Sequence, residues 1–152
     1  MMVKTDKSGI HVYTTKSWQK GEQILKFEGK VILSCMASTR RSISISQYNS
    51  FEWPADNIQS YINHSCDSNC FIDFDDNIPV LIARWDIACD REIFYNYNTV
   101  DYNRLNDFAA FHCKCDNKNC VRNIRGYCHL TDKQKEDVKD ILSPFIKSLL
   151  LV

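Results

Sequence analysis

A net charge of either sign is missing from this 152-residue chain, because nineteen Lys and Arg offset nineteen Asp and Glu. No global field therefore draws it to nucleic acid or to an anionic membrane surface, and only a local basic patch such as Arg40 and Arg41 remains. Long apolar runs are missing too, so no bilayer-spanning helix is expected and no membrane partner with it. Met1 to Gly9 is polar and charged and lacks the apolar stretch of a secretion signal. Leu149 to Val152 is apolar but too short to anchor anything. Internal repeats and low-complexity stretches are absent. With 44% hydrophobic residues, the length suits one domain with a real core and not two large ones.

What the chain does have is eight cysteines. Without a secretion signal, disulfides are the weaker account, since a reducing compartment keeps thiols free. Metal ligation is the stronger one. Cys113, Cys115 and Cys120 form C-x-C-x4-C, and the turn formers Asp116 to Asn119 can bring the third thiol round to the first two. Structural zinc takes four ligands in a tetrahedron, so one position is left to fill. Cys66, Cys70, Cys128, His112 and His129 are the candidates. His112 adjoins Cys113, which makes joint chelation awkward. Cys128 would give a self-contained knuckle, whereas Cys66 would tie the segment to the middle of the chain. Spacing alone leaves these open.

Short strands are predicted at Ile10 to Tyr13, Ile24 to Phe27 and Val31 to Leu33, with turns at Lys20-Gly21-Glu22 and Gly29-Lys30. Residues 35 to 60, rich in Ser, Thr and Arg and broken by Pro54, read as a surface insert with a short strand at Ile43 to Ile45. Residues 79 to 87 and Glu92 to Tyr95 read as strands, and 101 to 112 as a linker. Thr131 with Gln134 fits a capping box, predicting a helix over Lys133 to Leu142. Ser143-Pro144 fits the start of a second short helix, with Ile141, Leu142, Phe145, Ile146 and Leu149 giving an apolar face. The pattern is mainly β with a helical tail.

Three segments then stand out in order. They are Asn63-His64-Ser65-Cys66-Asp67-Ser68-Asn69-Cys70, Glu92-Ile93-Phe94-Tyr95-Asn96-Tyr97, and the C-x-C-x4-C run. They resemble the NHSCxPNC, E-[LI]-T-[FY]-D-Y and post-SET motifs of the SET-domain protein lysine methyltransferases, in particular the compact stand-alone bacterial and viral members. Lys20-Gly21-Glu22 and Phe27-Glu28-Gly29 add a weaker match, so the resemblance spans roughly residues 8 to 128. It implies a mainly β SET (β-clip) fold with a knot-like crossing of the first two motifs. The expected organisation is a SET domain over 1–112, a zinc-bound post-SET segment over 113–128 and a helical tail over 129–152. The resemblance also assigns the fourth zinc ligand to the cysteine of the first motif, giving Cys66, Cys113, Cys115 and Cys120. Cys70, Cys35, Cys89 and Cys128 then become plain buried residues.

The activity implied is transfer of a methyl group from S-adenosylmethionine to a lysine of a protein or peptide substrate, a histone among the candidates, leaving S-adenosylhomocysteine. By resemblance Tyr97 is the catalytic tyrosine. Tyr95, two residues earlier, would limit the product to mono- or di-methyl-lysine. Gly9, Ile10 and His11 stand in the place of the family's G-x-G cofactor loop. Asn63 and His64 would hold the cofactor with Tyr97, and Phe111 would stack on its adenine. Departures from the pattern are His11 for the second glycine, Ser68 for proline, Ser60 for arginine, Asn96 for aspartate, and an unusual spacing from Arg122 to Gly126. A catalytically silent, zinc-stapled binding module is the competing reading. Balanced charge argues against direct nucleic-acid binding. The free thiols imply a reducing intracellular compartment: cytoplasm in a bacterium, nucleus or chromatin in a eukaryote or for a delivered effector.

Overall fold

The computed structural model describes residues 1–38, 40–103 and 111–151. Among the described residues there are twelve strands: β1 (Met2–Asp6), β2 (Gly9–Tyr13), β3 (Gln23–Lys26), β4 (Lys30–Leu33), β5 (Ser42–Ser44), β6 (Asn49–Glu52), β7 (Asn63–His64), β8 (Cys70–Asp75), β9 (Ile78–Ala83), β10 (Phe94–Tyr95), β11 (Phe111–His112) and β12 (Asn123–Ile124). Two short helices follow, α1 (Asp132–Val138) and α2 (Pro144–Leu149). The described strands form small separate sheets: β1-β2, β3-β9-β8, β4-β6-β5, a parallel pair β7-β10, and β11-β12. Small sheets of this kind bury one face each, so the core lies where several of them converge.

The β8–β9 hairpin shows why. Asp76 and Asn77 connect its strands with φ of 51° and 62°. Positive φ at both central residues matches the right-handed twist of a two-residue hairpin turn, and Asp and Asn tolerate it. That turn sets the register Ile72 opposite Leu81 and Cys70 opposite Ala83. All four side chains are thereby buried beside Val12, Ile62 and Ile93. The strand β8 was not anticipated from sequence, and β9 ends at Ala83 where a strand over 79 to 87 was expected.

Residues 35 to 60 differ from the surface insert expected of them. Only β5 was foreseen there, yet β6 runs between β4 and β5, and Ile43, Phe51 and Trp53 are buried in the main core. The Ser-rich composition hid a period-two pattern, in which Phe51 and Trp53 point inward. Trp53 meets Phe27 edge-on, with ring centroids 5.2 Å apart. Gly29 is required where this sheet begins, because a Cβ there would lie 2.2 Å from the carbonyl oxygen of Glu52.

The strand expected over Glu92 to Tyr95 is shorter, for a structural reason. The side chain of Asn69 donates to the Glu92 carbonyl at 2.8 Å and accepts from the Phe94 amide at 2.9 Å. An asparagine amide thus replaces a neighbouring strand at this point. The Asn96 amide in turn donates to the Cys66 carbonyl. These bonds lock the Asn63–Cys70 segment against Glu92–Tyr97.

The tail packs a second, smaller core of Tyr127, Leu130, Val138, Ile141, Leu142 and Ile146. Both bonds of the predicted capping box at Thr131 and Gln134 are present. The helix stops at Val138 rather than Leu142 and tightens into a 3-10 turn over Lys139–Ile141. Pro144 disfavours a helical conformation at Ser143, which is extended and caps α2. The Ser143 amide also bonds the Thr99 carbonyl at 2.9 Å, fastening the tail to the main body. No helix among the described residues is long and apolar enough to cross a membrane.

Candidate active-site cleft and cysteine cluster

A cleft of about 590 Å³ opens where β2, β7 and β10 meet β11. Such a volume suits a small-molecule site. Ser8, His11 and Glu92 form one wall, Asn63 to Ser65 the floor, Phe94 and Tyr97 a second wall, and Phe111 to Cys115 the lip.

The parallel pairing of β7 with β10 sets Tyr95 opposite His64 and brings Tyr97 alongside. The Tyr97 amide donates to His64 Nδ1 at 3.1 Å. Nδ1 is therefore an acceptor, and the ring proton sits on Nε2, 3.3 Å from Cys66 Sγ. The Tyr97 hydroxyl donates to the Ile62 carbonyl at 2.7 Å, which fixes its direction. Its ring lies 4.8 Å from that of Tyr95, 5.3 Å from His64 and 5.9 Å from Phe111, centroid to centroid. Tyr95 is buried, whereas Phe111 at the lip is 40% exposed and meets the rings of His64 and Tyr97 edge-on.

The opposite wall is ionic. His11 Nδ1 lies 2.7 Å from Glu92 Oε1, and His11 Nε2 lies 3.3 Å from Asp6 Oδ1. Glu92 raises the His11 pKa above its ordinary value, with partial burial pulling the other way. Asn63 Nδ2 donates to the Ile10 carbonyl at 2.8 Å and to Glu92 Oε1 at 3.2 Å.

Below the lip, the sulfur atoms of Cys66, Cys113, Cys115 and Cys120 all lie within 4.8 Å of one another. Cys66 Sγ is 3.9 Å from that of Cys113 and 4.0 Å from that of Cys120. Four thiolates bound tetrahedrally to one zinc ion would stand about 3.8 Å apart, so the cluster is close to a ligand set. Backbone turns assemble it. Asp116 and Arg122 adopt positive φ, the Cys120 amide bonds the Asn117 carbonyl at 2.9 Å, and the Cys113 amide bonds the Arg122 carbonyl at 2.6 Å. Burial pushes the Cys66 thiol up, and likewise pushes Cys113 up to about 12. Burial opposes ionisation of Cys115 as well. There the amides of Cys66 and Asn117, with the neighbouring thiols, outweigh it and bring the pKa down to about 7.

A family model described as the SET domain matches residues 9–98. The chain belongs to the SET-domain family. Among relatives of this SET domain, a Plasmodium falciparum (isolate 3D7) protein named for histone-lysine N-methyltransferase activity is 28% identical over 137 residues, covering 76% of this chain and 2% of that protein. The SET domain and MYND-type zinc finger protein 6 of Schizosaccharomyces pombe is 36% identical over 62 residues, covering 41% of this chain and 13% of that protein. This SET domain thus spans a small part of both relatives. Among solved structures, KRYPTONITE in complex with mCHG DNA and SAH superposes with a TM-score of 0.62 at 21% identity, over 79% of this chain and 27% of that one. The methyltransferase domain of human SETMAR gives 0.58 at 21% identity, over 81% and 56%. The mainly β SET fold expected from the motifs is the fold found.

Of the residues singled out in the sequence, His11, Asn63, His64, Tyr97 and Phe111 line one cleft. Gly9 and Ile10 lie beside it on β2, and Ile10 takes part through its carbonyl. Tyr95 packs behind Tyr97. The four proposed metal ligands converge, and Cys66 fills the position that spacing left open. Cys70 is buried as expected, but Cys35 and Cys89 are exposed and Cys128 only half-buried. Cys35 sits in a turn at a sheet edge, and beside Cys89 it is Ile87 that takes the inward place. Sequence reasoning missed Ser8, Glu92 and Lys114 as cleft residues. Glu92 opens the second motif and Lys114 sits between two ligand cysteines, so their neighbours were the available signal.

Proposed function

We propose that this SET domain is a protein-lysine methyltransferase that uses S-adenosylmethionine and carries a structural zinc ion. The observation that supports this most is the convergence of Asn63, His64, Tyr97 and Phe111 on one cleft, with the Tyr97 hydroxyl held against the Ile62 carbonyl. The cleft fits the cofactor's chemistry: an aromatic face for a purine at Phe111, and acceptors and charged groups for a methionyl end at Asn63, Glu92 and Lys114. The cysteine cluster fits zinc, whose preferred ligands are thiolates at this spacing.

A cofactor held by Asn63, His64 and Phe111 would supply an electrophilic methyl group on a sulfonium, for a lysine nitrogen that has first lost its ammonium proton to water. This chain's residues prepare the other partner. Free lysine holds its proton up to about pH 10.4, and the Tyr97 ring, backed by Tyr95, would disfavour the charged form by desolvation. The Tyr97 hydroxyl and the Ile62 carbonyl place two fixed oxygens side by side, where positive charge on a transferring methyl is stabilised. Tyr95, packed against Tyr97, occupies space that a more methylated amine needs, which favours mono- and di-methylation. The metal's part is structural. Cys113 and Cys115 flank Lys114 and follow Phe111, so a closed cluster holds the lip over the cleft. The same thiols stay available for metal in a reducing compartment.

Transfer of radiolabelled methyl groups to histones and other lysine-bearing proteins tests the reading. Tyr97→Phe should lower transfer roughly a hundredfold, the scale of losing one oriented oxygen at a charged transition state. Tyr95→Phe should shift products to higher methylation states by mass spectrometry. Failure of the wild-type protein to bind S-adenosylmethionine would favour a silent binding module instead.

A further inference from the structure

Hydrogen-bond arithmetic along the ionic wall of the cleft fixes the state of His11. The Ser8 hydroxyl has one proton, and it is donated to Asp6 Oδ1 at 2.5 Å. His11 Nε2, 3.0 Å from the same hydroxyl oxygen, must therefore donate to it. Glu92, as a carboxylate, only accepts, so His11 Nδ1 at 2.7 Å must donate as well. Both ring nitrogens carry protons, and His11 is an imidazolium bridging the β1–β2 turn to Glu92. Glu92 Oε1 also accepts from Asn63 Nδ2, while the Ile10 carbonyl accepts from that same nitrogen. Asn63 Nδ2 also lies 3.4 Å from His11 Nδ1, a contact between two donors that share Glu92 Oε1, so the two protons of Nδ2 go to the Ile10 carbonyl and Glu92. That settles the amide orientation of Asn63 and leaves Oδ1 to a ligand.

We propose that His11 is a positioning residue for the cofactor, which by holding Glu92 orients Asn63 so that Oδ1 accepts from the methionyl ammonium of S-adenosylmethionine. This rests on the methyltransferase reading above. The charged groups facing His11 are Asp6 from β1 and Glu92 from the segment before β10. Lys4, its cross-strand partner, is held by Asp90 at 2.6 Å, and His112 and Lys114 stand on the facing lip. The carboxylates dominate, in keeping with the raised His11 pKa. The full strap is present below that raised value and is lost as pH rises through it, when one ring nitrogen gives up its proton.

The test uses the zinc-loaded full chain. NMR titration of His11 should place its pKa above the ordinary value, and Glu92→Gln should bring it down. Calorimetric binding of S-adenosylmethionine should be roughly tenfold weaker in His11→Gln than in wild type at pH 6, the loss of about one charge-assisted hydrogen bond. The ratio should shrink towards one as pH rises past the His11 titration. The cofactor's own amine titrates equally in both proteins and cancels from the ratio. Glu92→Gln should flatten the wild-type pH profile in the same way, with unchanged circular dichroism and zinc content showing that the fold survives. Equal affinities with parallel pH profiles, or tighter binding by His11→Gln, would overturn the proposal while leaving the methyltransferase reading intact. No binding by wild type at any pH would overturn both.

Discussion

In the sheet core, Val12, Ile72, Leu81 and Ile93 are completely enclosed, and the hairpin behind them pairs six consecutive residues on each strand. Between Phe111 and Ile124, by contrast, only Cys113 and Ile124 are buried, and the one strand pair there is two residues long. The core removes enough apolar surface from water to offset the entropy of ordering its backbone. The cysteine segment cannot do so and relies on four thiols gathered round a point. The two regions meet at Cys66, which lies two residues beyond β7 and whose sulfur belongs to the cluster. The cleft lies across that junction, so a site built partly on hydrocarbon burial is completed by a part gathered round a cysteine cluster that could hold a metal.

Separating the two supports is the sharpest way to break this comparison. Strong chelation, or Cys66→Ser, should remove a contribution on the order of 10 kcal/mol from ordering the cysteine segment. Cofactor binding and methyl transfer should be lost, while circular dichroism still reports the sheets. Loss of all secondary structure with the metal would show that the core is not independent. A smaller effect runs the other way. Leu81→Ala, at a fully buried position in the middle strand of its sheet, should cost about 2–5 kcal/mol in chemical denaturation. Metal stoichiometry of the folded fraction should stay at one per chain, and a reduced value would mean that the cluster depends on core packing. Smallest is Thr131→Ala, which removes the capping box of α1. It should cost about 1 kcal/mol, read as a modest drop in Tm with cofactor affinity unchanged. A large loss of affinity there would place the tail within the binding site.

Much of the site is legible in the order of residues, because its members come in short local motifs. C-x-C-x4-C carries its own chemistry, and the Asn63–Cys70 and Glu92–Tyr97 segments carry the family's order. The capping box at Thr131 and the proline start at Pro144 are legible for the same reason, since each is a contact between residues close in sequence. Features built from distant partners are not legible. The strand β6 lies hidden in a Ser-rich stretch because its inward face is defined by β4 and β5 on either side. Glu92 reads as the start of a strand, although Asn69 takes over its backbone bonds and His11 takes its side chain.

The sequence by itself determined the family, the mainly β class and three of the four clustered thiols, because ligand spacing and turn chemistry act over a few residues. That Cys66 rather than Cys128 joins Cys113 was implied by resemblance and decided by the chain's path, which carries residue 66 to the cluster and leaves residue 128 half-buried in the tail. The protonation of His11 was decided only by tertiary structure. A histidine at position 11 reads as a misfit for glycine until Asp6, Ser8 and Glu92, up to 81 residues away, are seen to leave both its nitrogens nothing to do but donate.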